Sequence, residues 1–283
     1  MVRRSLIRKV SFVLLAAVLL AGLGATSKAG EKRAEDVYFD LSWPYASNSA
    51  ICSGSAKLYH AFVPNGYTVA VNAGHGTSGG ESASTLCHPD GTPKVTGGST
   101  GEGATWATAV SSGMTFLDGT PEAEANLSLA RLVRDGLLAK GFDVLMIRDG
   151  EDVQLDNVAR TVMANQKANA HLALHYDSTE YDKGFFVIDV PDDFSYLSME
   201  PVSSHYLDHR MLGDCLLSGV MNQGIPIYGN GKLALDLTQT SYSTIPSVDV
   251  EVGDRASDIS YSTQLSLAKG IVSGVCLFFG VAQ

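Results

Sequence analysis

Apolar and polar positions settle into a regular order from Tyr67 onward. YTVAVNA is a short apolar run of the buried-strand kind, and the glycines after it permit a tight exit from a sheet. In TPEAEANLSLARLVRDGLLAKG, Leu129, Val133 and Leu137 fall on one helical face. Thr120 is placed to cap that helix, Pro121 suits its first position and Gly141 stops it. FDVLMIR is predicted to be a strand, and LDNVARTVMANQKAN a second helix with Leu155, Val158 and Val162 aligned. HLALHYDS and GFFVIDV follow as strands, residues 203 to 222 as a helix, IPSVDVEVG as a late strand and LSLAKGIVSGVCLFF as an apolar closing helix. Strands separated by helix-length segments predict an α/β fold, a single mostly parallel sheet flanked by helices on both faces.

The regions outside this alternation are of three kinds. Residues 1–29 read as an export signal, with Arg3, Arg4, Arg8 and Lys9 ahead of the apolar run VSFVLLAAVLLAGLGA and small residues after it. Ala29 is a suitable residue before the cut, Ala25 also serves, and an uncleaved signal anchor is the alternative. Both readings place the bulk of the chain outside the cytoplasm, secreted or in the cell envelope. With the signal cleaved, no stable membrane insertion is expected. Residues 30–66 show no long periodic segment and are expected to form an N-terminal arm or a short extra hairpin. Residues 76–120 are an insertion rich in Gly, Ser and Thr, too long for an ordinary strand-to-helix connection and therefore a lid, a wall or a mobile segment. Trp106 is expected to pack it down. The body from residue 67 to 283 is then one catalytic-sized domain.

Charge and cysteine content narrow the partners and the compartment. The formal net charge is −10, and removal of the basic leader leaves about −15. An acidic body without a basic run interleaved with aromatics weighs against nucleic acid. The four cysteines lack zinc-finger spacing. Cys52 and Cys87 lie in Gly/Ser-rich ground of an exported chain, so a disulfide between them is expected. Cys215 and Cys276 sit in apolar settings that suit buried thiols.

Ligands of such sheets sit beyond the carboxyl ends of the strands, and His75, His175 and Glu251 all fall at such ends. Two strand-end histidines and a carboxylate at the start of an intervening helix can converge on one crevice. Zinc accepts imidazole nitrogen and carboxylate oxygen while keeping a position for water. Glu122 is the best carboxylate, because it lies in the first turn of its helix, where exposed amide dipoles favour negative charge. Glu124 faces elsewhere, and Glu102 becomes an alternative ligand if the insertion folds over the site.

NAGHG, EAEANLSLARLVRDGLLAKGFDVLMIR, LDNVARTVMANQKANAHLALHYDS and VDVEVG, in this order from about Tyr67 to the C-terminus, resemble the zinc-dependent N-acetylmuramoyl-L-alanine amidases, in the branch of AmiC-like, sporulation and autolytic cell-wall enzymes. The resemblance implies a zinc ion held by His75, Glu122 and His175, and a catalytic Glu251. In the family the ligand glutamate stands four residues before an asparagine in the same helix, which Glu122 and Asn126 match. Arg148 matches the arginine that closes the second strand and Arg160 the one in the helix before the second histidine. The implied substrate is peptidoglycan, cut at the amide joining N-acetylmuramic acid to L-alanine. In some members a helix blocks the groove until an activator protein moves it, and residues 76–120 are placed to act similarly. The chain departs from the family in that long insertion, in the Tyr-Asp-Ser after His175, and in VGDRASD after Glu251, which lacks the usual aromatic and serine-asparagine pair.

The remaining polar residues receive plainer readings. Arg148 and Arg160 are expected to fix acidic side chains and close helices against strands. Asp249 shares a face with Glu251 and is read as a binder of backbone amides, with tuning of Glu251 as the alternative. His171 belongs near the far end of the sheet, and His205 and His209 are taken as surface residues. His88 becomes an extra ligand only if the insertion folds back. Two other functions stay open, another zinc-dependent wall peptidase and a non-catalytic peptidoglycan-binding module.

Overall fold

Residues 34–282 are described by a computed structural model; the export-signal reading of residues 1–29 lies outside them. Among the described residues, ten strands and six α-helices alternate much as the hydrophobic pattern requires. They are β1 (Ala34–Tyr38), β2 (Ser55–Tyr59), β3 (Thr68–Ala73), β4 (Ser84–Leu86), β5 (Trp106–Thr108), α1 (Glu122–Ala139), β6 (Asp143–Met146), α2 (Asn157–Lys167), β7 (Ala170–Asp177), β8 (Phe185–Asp189), α3 (Phe194–Leu197), α4 (Val202–Met221), β9 (Ile227–Ala234), α5 (Thr238–Tyr242), β10 (Ser247–Asp254) and α6 (Tyr261–Phe279). Eight strands form one mixed sheet in the order β1-β2-β6-β3-β7-β10-β8-β9. Its central run β6-β3-β7-β10 is parallel throughout. That run brings the carboxyl ends of β3, β7 and β10 to one edge, so the strand-end residues meet there.

The two faces of the sheet are covered by different helices. Val69, Val71, Leu172, Leu174, Val248 and Val250 face a core shared with Leu129, Val133 and Leu137 of α1, Leu212 and Leu216 of α4, and Ile271 and Val275 of α6. The intervening residues Ala70 and Leu145 face Ala159, Met163 and Ala164 around α2. The alternation by two along each strand is what allows both faces to be apolar. α6 is long and apolar enough to cross a membrane, yet it packs into this core against α4. A Cβ at Gly219 would lie 2.3 Å from the Gly270 carbonyl oxygen, and one at Gly274 would lie 2.6 Å from the Leu216 Cα. Small residues let these two backbones touch, which identifies α6 as a core helix.

The short hairpin, one of the two alternatives expected for residues 30–66, is present as β1 and β2, an antiparallel pair that extends the main sheet through β6. Several other expectations are corrected. β9, absent from the predicted strands, adds to β8; IYGNGKLA carries two positive-φ glycines, Gly229 and Gly231, and no clean alternation. The α1 cap is Pro121 rather than Thr120, with no side-chain capping bond. All four cysteines are free. Cys52 packs against the α2-side core, whereas Cys87 is buried within the insertion near Lys94 and Asp236, so each thiol already has its own surroundings.

The insertion is an ordered wall. Its antiparallel hairpin of β4 and β5 is pinned by the fully buried Asp236. That carboxylate accepts from Lys94 Nζ at 2.7 Å, lies 3.1 Å from His88 Nε2, accepts from the Val95 amide at 2.6 Å, and also binds the Thr96 hydroxyl. Burial opposes its charge, but hydrogen bonds from His88, Lys94 and Thr96 prevail and hold its pKa well below the usual value. His88 is consumed in this anchor. Trp106 does not pack the segment down: it is 58% exposed.

Candidate functional site

His75 lies two residues past the end of β3, in a turn that no ordinary strand exit would produce. Its φ is +64° and that of Gly76 is +68°, both in the left-handed region that non-glycine residues rarely occupy. Two buried arginines hold this turn through its carbonyls. Arg160 donates to the carbonyls of Leu155 (3.0 Å), Ala73 (3.2 Å) and His75 (2.6 Å), to Asn72 Oδ1 (3.0 Å) and to Thr77 Oγ1 (2.8 Å). Arg148 donates to the carbonyls of Ala73 (3.1 Å), Gly74 (2.9 Å), Ala123 (2.7 Å) and Gly150 (2.9 Å). Among the described residues neither binds an acidic side chain, contrary to the sequence expectation, because the strand ends and the turn offer a fan of backbone acceptors instead. Desolvation, helped by neighbouring cationic guanidinium groups, lowers the Arg148 pKa to about 10 and that of Arg160 to about 9.

Three side chains converge above this turn. His75 Nε2 lies 2.9 Å from Glu122 Oε1, His175 Nδ1 lies 3.0 Å from His75 Nε2 and 3.1 Å from Glu122 Oε1. His75 Nδ1 is 2.8 Å from the Ser111 carbonyl oxygen, an acceptor, so Nδ1 carries the proton and Nε2 presents a lone pair to the cluster. Glu122 is almost fully buried. Its Oε1 accepts from Asn126 Nδ2 at 3.1 Å and from the Tyr176 amide at 3.1 Å, and its Oε2 accepts from the Met114 amide at 2.9 Å. Burial works against its ionisation, but the bonds to His175 and His75 outweigh this and hold its pKa far below the usual carboxylate value.

The end of the insertion is part of this cluster. Ser111 fixes the His75 ring, Met114 fixes Glu122, and a Cβ at Gly113 would lie 2.7 Å from both Glu122 Oε2 and the His75 ring. Residues 111–114 cannot therefore be removed as a detachable lid. Glu102 is exposed and does not belong to the cluster.

β10 brings two more carboxylates to the same edge. Glu251 pairs with His175 in parallel register and Asp249 with Ala173, so both acids share the His175 face. Glu251 Oε2 and Asp249 Oδ1 are buried without hydrogen-bond partners. Asp249 does not bind backbone amides; its Oδ2 instead lies 3.8 Å from His175 Nε2. Burial raises the Asp249 pKa to about 6 and pushes Glu251 well above its ordinary value, with His175 pulling both the other way. For His175 burial disfavours the charged ring, but Asp249, Glu122 and Glu251 together raise its pKa to about 10.

This set of donors suits a divalent ion. Two imidazole nitrogens and one carboxylate oxygen lie within 4.8 Å of one another, a His₂Glu set of the kind found in catalytic zinc sites. The Glu251 oxygen beside it is buried and has no hydrogen-bond partner among the described residues.

The segments beside the cluster are tied together by polar contacts. Lys183 Nζ binds Asp177, and its amide donates to Asp254 Oδ2 at 2.8 Å. Arg255 Nε donates to the Thr115 carbonyl at 3.0 Å, tying the loop after β10 to the insertion. Lys183 was missed from the sequence, since it has no periodicity or motif to mark it. Of the other histidines, His209 is a correction: it is buried, with Nδ1 accepting from the Ser247 amide at 3.0 Å.

Comparisons with known proteins bear on the family and the fold. A sequence profile of the N-acetylmuramoyl-L-alanine amidases (Amidase_3) matches residues 69–276. No curated protein sequence is significantly similar to the chain. Among solved structures, the N-acetylmuramyl-L-alanine amidase Ami1 of Mycobacterium smegmatis is similar with a TM-score of 0.64 at 20% identity, over 77% of this chain and 99% of that one. The amidase AmiC2 of Nostoc punctiforme gives 0.54 at 16% identity, over 77% and 99%. The CwlD amidase of Clostridioides difficile, in complex with the GerS lipoprotein, gives 0.50 at 18% identity, over 76% and 98%. At these identities the structures speak for the fold, and the profile, which covers most of the chain, speaks for descent. The chain belongs to the N-acetylmuramoyl-L-alanine amidase family.

Proposed function

We propose that this protein is a zinc-dependent, extracytoplasmic amidase that hydrolyses the bond between N-acetylmuramic acid and L-alanine in peptidoglycan. The observation that carries the reading is the convergence of His75, Glu122 and His175 within 4.8 Å, beside a buried, partnerless Glu251 oxygen. Zinc at this position supplies Lewis acidity, bringing the pKa of a water toward neutrality and polarising the scissile carbonyl. His75, with Nδ1–H donating to the Ser111 carbonyl, and Glu122, tied by the Met114 and Tyr176 amides, hold their ligand atoms inward. Glu251 takes the proton from the attacking water and delivers it to the leaving amine nitrogen, which must be protonated to depart. Arg160 and Arg148 keep the His75 turn in place.

An activator protein is proposed as a partner, supported by the solved complex of the related CwlD with a lipoprotein. The reading is tested by incubating wild type and Glu251→Gln with purified peptidoglycan, measuring bound zinc and identifying products by mass. Expected are zinc in both proteins, free stem peptide from wild type, and turnover about 10²- to 10⁴-fold lower in the variant. Cleavage at a peptide bond of the stem instead would transfer the protein to the wall peptidases.

A further inference from the structure

We infer that Asp249 is a positioning residue of the metal site, holding the His175 ring so that Nε2 carries the proton and Nδ1 faces the metal. The inference rests on the zinc reading above and concerns how this chain keeps its third ligand in register.

Three observations support it. The parallel register sets Asp249 opposite Ala173, two residues before His175 on the same face, and its Oδ2 approaches Nε2 to 3.8 Å. Nδ1, at the other end of the ring, meets Glu122 Oε1 and His75 Nε2 at 3.1 and 3.0 Å. The ring also has its side covered: a Cβ at Gly74 would lie 2.2 Å from Cε1 and 2.4 Å from Nε2, so the Gly74 backbone lies against it. A ring packed in this way chooses its tautomer by what its two nitrogens meet.

Among the described residues, no hydrogen bond occupies Asp249. Its Oδ1 is buried with no hydrogen-bond partner, and a carboxylate desolvated to this extent costs stability unless it serves a neighbour. Glu251 makes no comparable contact with Nε2 among the described residues, and Glu122 is spent at the Nδ1 end. A carboxylate that accepts from the far nitrogen of a ligating imidazole fixes the tautomer and strengthens the ligand. At 3.8 Å the contact is electrostatic, and such contacts are often long until the site is loaded. Asp249 thus acts through His175 and touches no reacting atom.

The experiment uses the full chain and zinc alone, with no substrate. In ¹⁵N-labelled, zinc-loaded wild type, ring-nitrogen correlations of His175 should show Nε2 protonated and Nδ1 metal-bound; the opposite tautomer overturns the proposal without need of a variant. Zinc affinity, measured by competition with a chromophoric chelator, should fall about 10-fold in Asp249→Asn and nearer 100-fold in Asp249→Ala. The melting temperature of the zinc-free variants should stay level or rise, since a buried carboxylate has been removed. A merely structural role predicts the reverse pair of results, a lower zinc-free melting temperature with zinc affinity unchanged, and that overturns it. If wild type takes up no zinc, the metal reading fails and takes this inference with it; equal affinity in wild type and variants sinks this inference alone.

Discussion

His171 and His175 stand four residues apart on one face of β7, and the fold treats them in opposite ways. His171 is fully buried at the start of the strand, with Ser247 Oγ 3.5 Å from Nδ1 and no partner for Nε2. Desolvation, reinforced by Arg160, lowers its pKa to about 3. His175 is at the other end, where burial also opposes charge, yet Asp249, Glu122 and Glu251 raise its pKa to about 10. Burial by itself makes an imidazole inert. Burial among carboxylates keeps its pKa high instead, and the carboxyl edge of the parallel strands is where those carboxylates gather.

The largest effect should come from breaking the His175 end. Glu122→Gln removes the carboxylate shared by both histidines and should cost more zinc affinity than the about 10- to 100-fold typical of an outer-shell change, with amidase activity falling to background. Bound metal by mass spectrometry and product release would check it, and full zinc retention would contradict the site.

Next in size is the arginine that serves both ends. Arg160→Met strips five hydrogen bonds from the His75 turn and its surroundings. It should destabilise the protein by about 3 kcal/mol, read in urea unfolding, and a loss under about 1 kcal/mol would show that the turn holds itself.

The His171 end should appear in the pH dependence. His171 and His209 are both depressed to about 3 by burial, below the ordinary value near 6.5. Between these limits the unfolded chain binds more protons than the folded one, so the stability each provides is complete above about pH 6.5 and is lost as pH falls. By pH 5 each should have cost about 2 kcal/mol. His171→Gln should flatten this acid slope in denaturant titrations from pH 7 to 5, and an unchanged slope would show that His171 is protonated in the native state.

The smallest effect is expected far from both ends. Trp106→Ala should change stability by less than about 0.5 kcal/mol, because the indole is largely exposed; thermal melts that drop by more than the equivalent would place it in a contact.

Legibility followed the reach of the signal. The helix at Glu122–Ala139 and the strands β3, β7, β8 and β10 were visible because each buries a periodic set of apolar residues, a property of a few consecutive positions. β9 was not, because an edge strand with two glycines has little to bury. His75, Glu122, His175 and Glu251 could be nominated because strand ends and a helix start are local features, and the ordered motifs pointed the same way. Arg148 and Arg160 were nominated but misread, since a sequence does not show whether a guanidinium will meet a carboxylate or a carbonyl.

The sequence by itself determined the alternation of elements, the parallel sheet and the residues able to bind a metal, because these depend on hydrophobic period and side-chain chemistry within short windows. Only the tertiary structure decided that Asp236 anchors the insertion, that Ser111 and Met114 brace His75 and Glu122, that Cys52 and Cys87 remain thiols, and that Asp249 turns toward His175. Each of these is a contact between residues far apart in the chain, set by strand order and register, and no local pattern encodes which distant partner a buried polar group will meet.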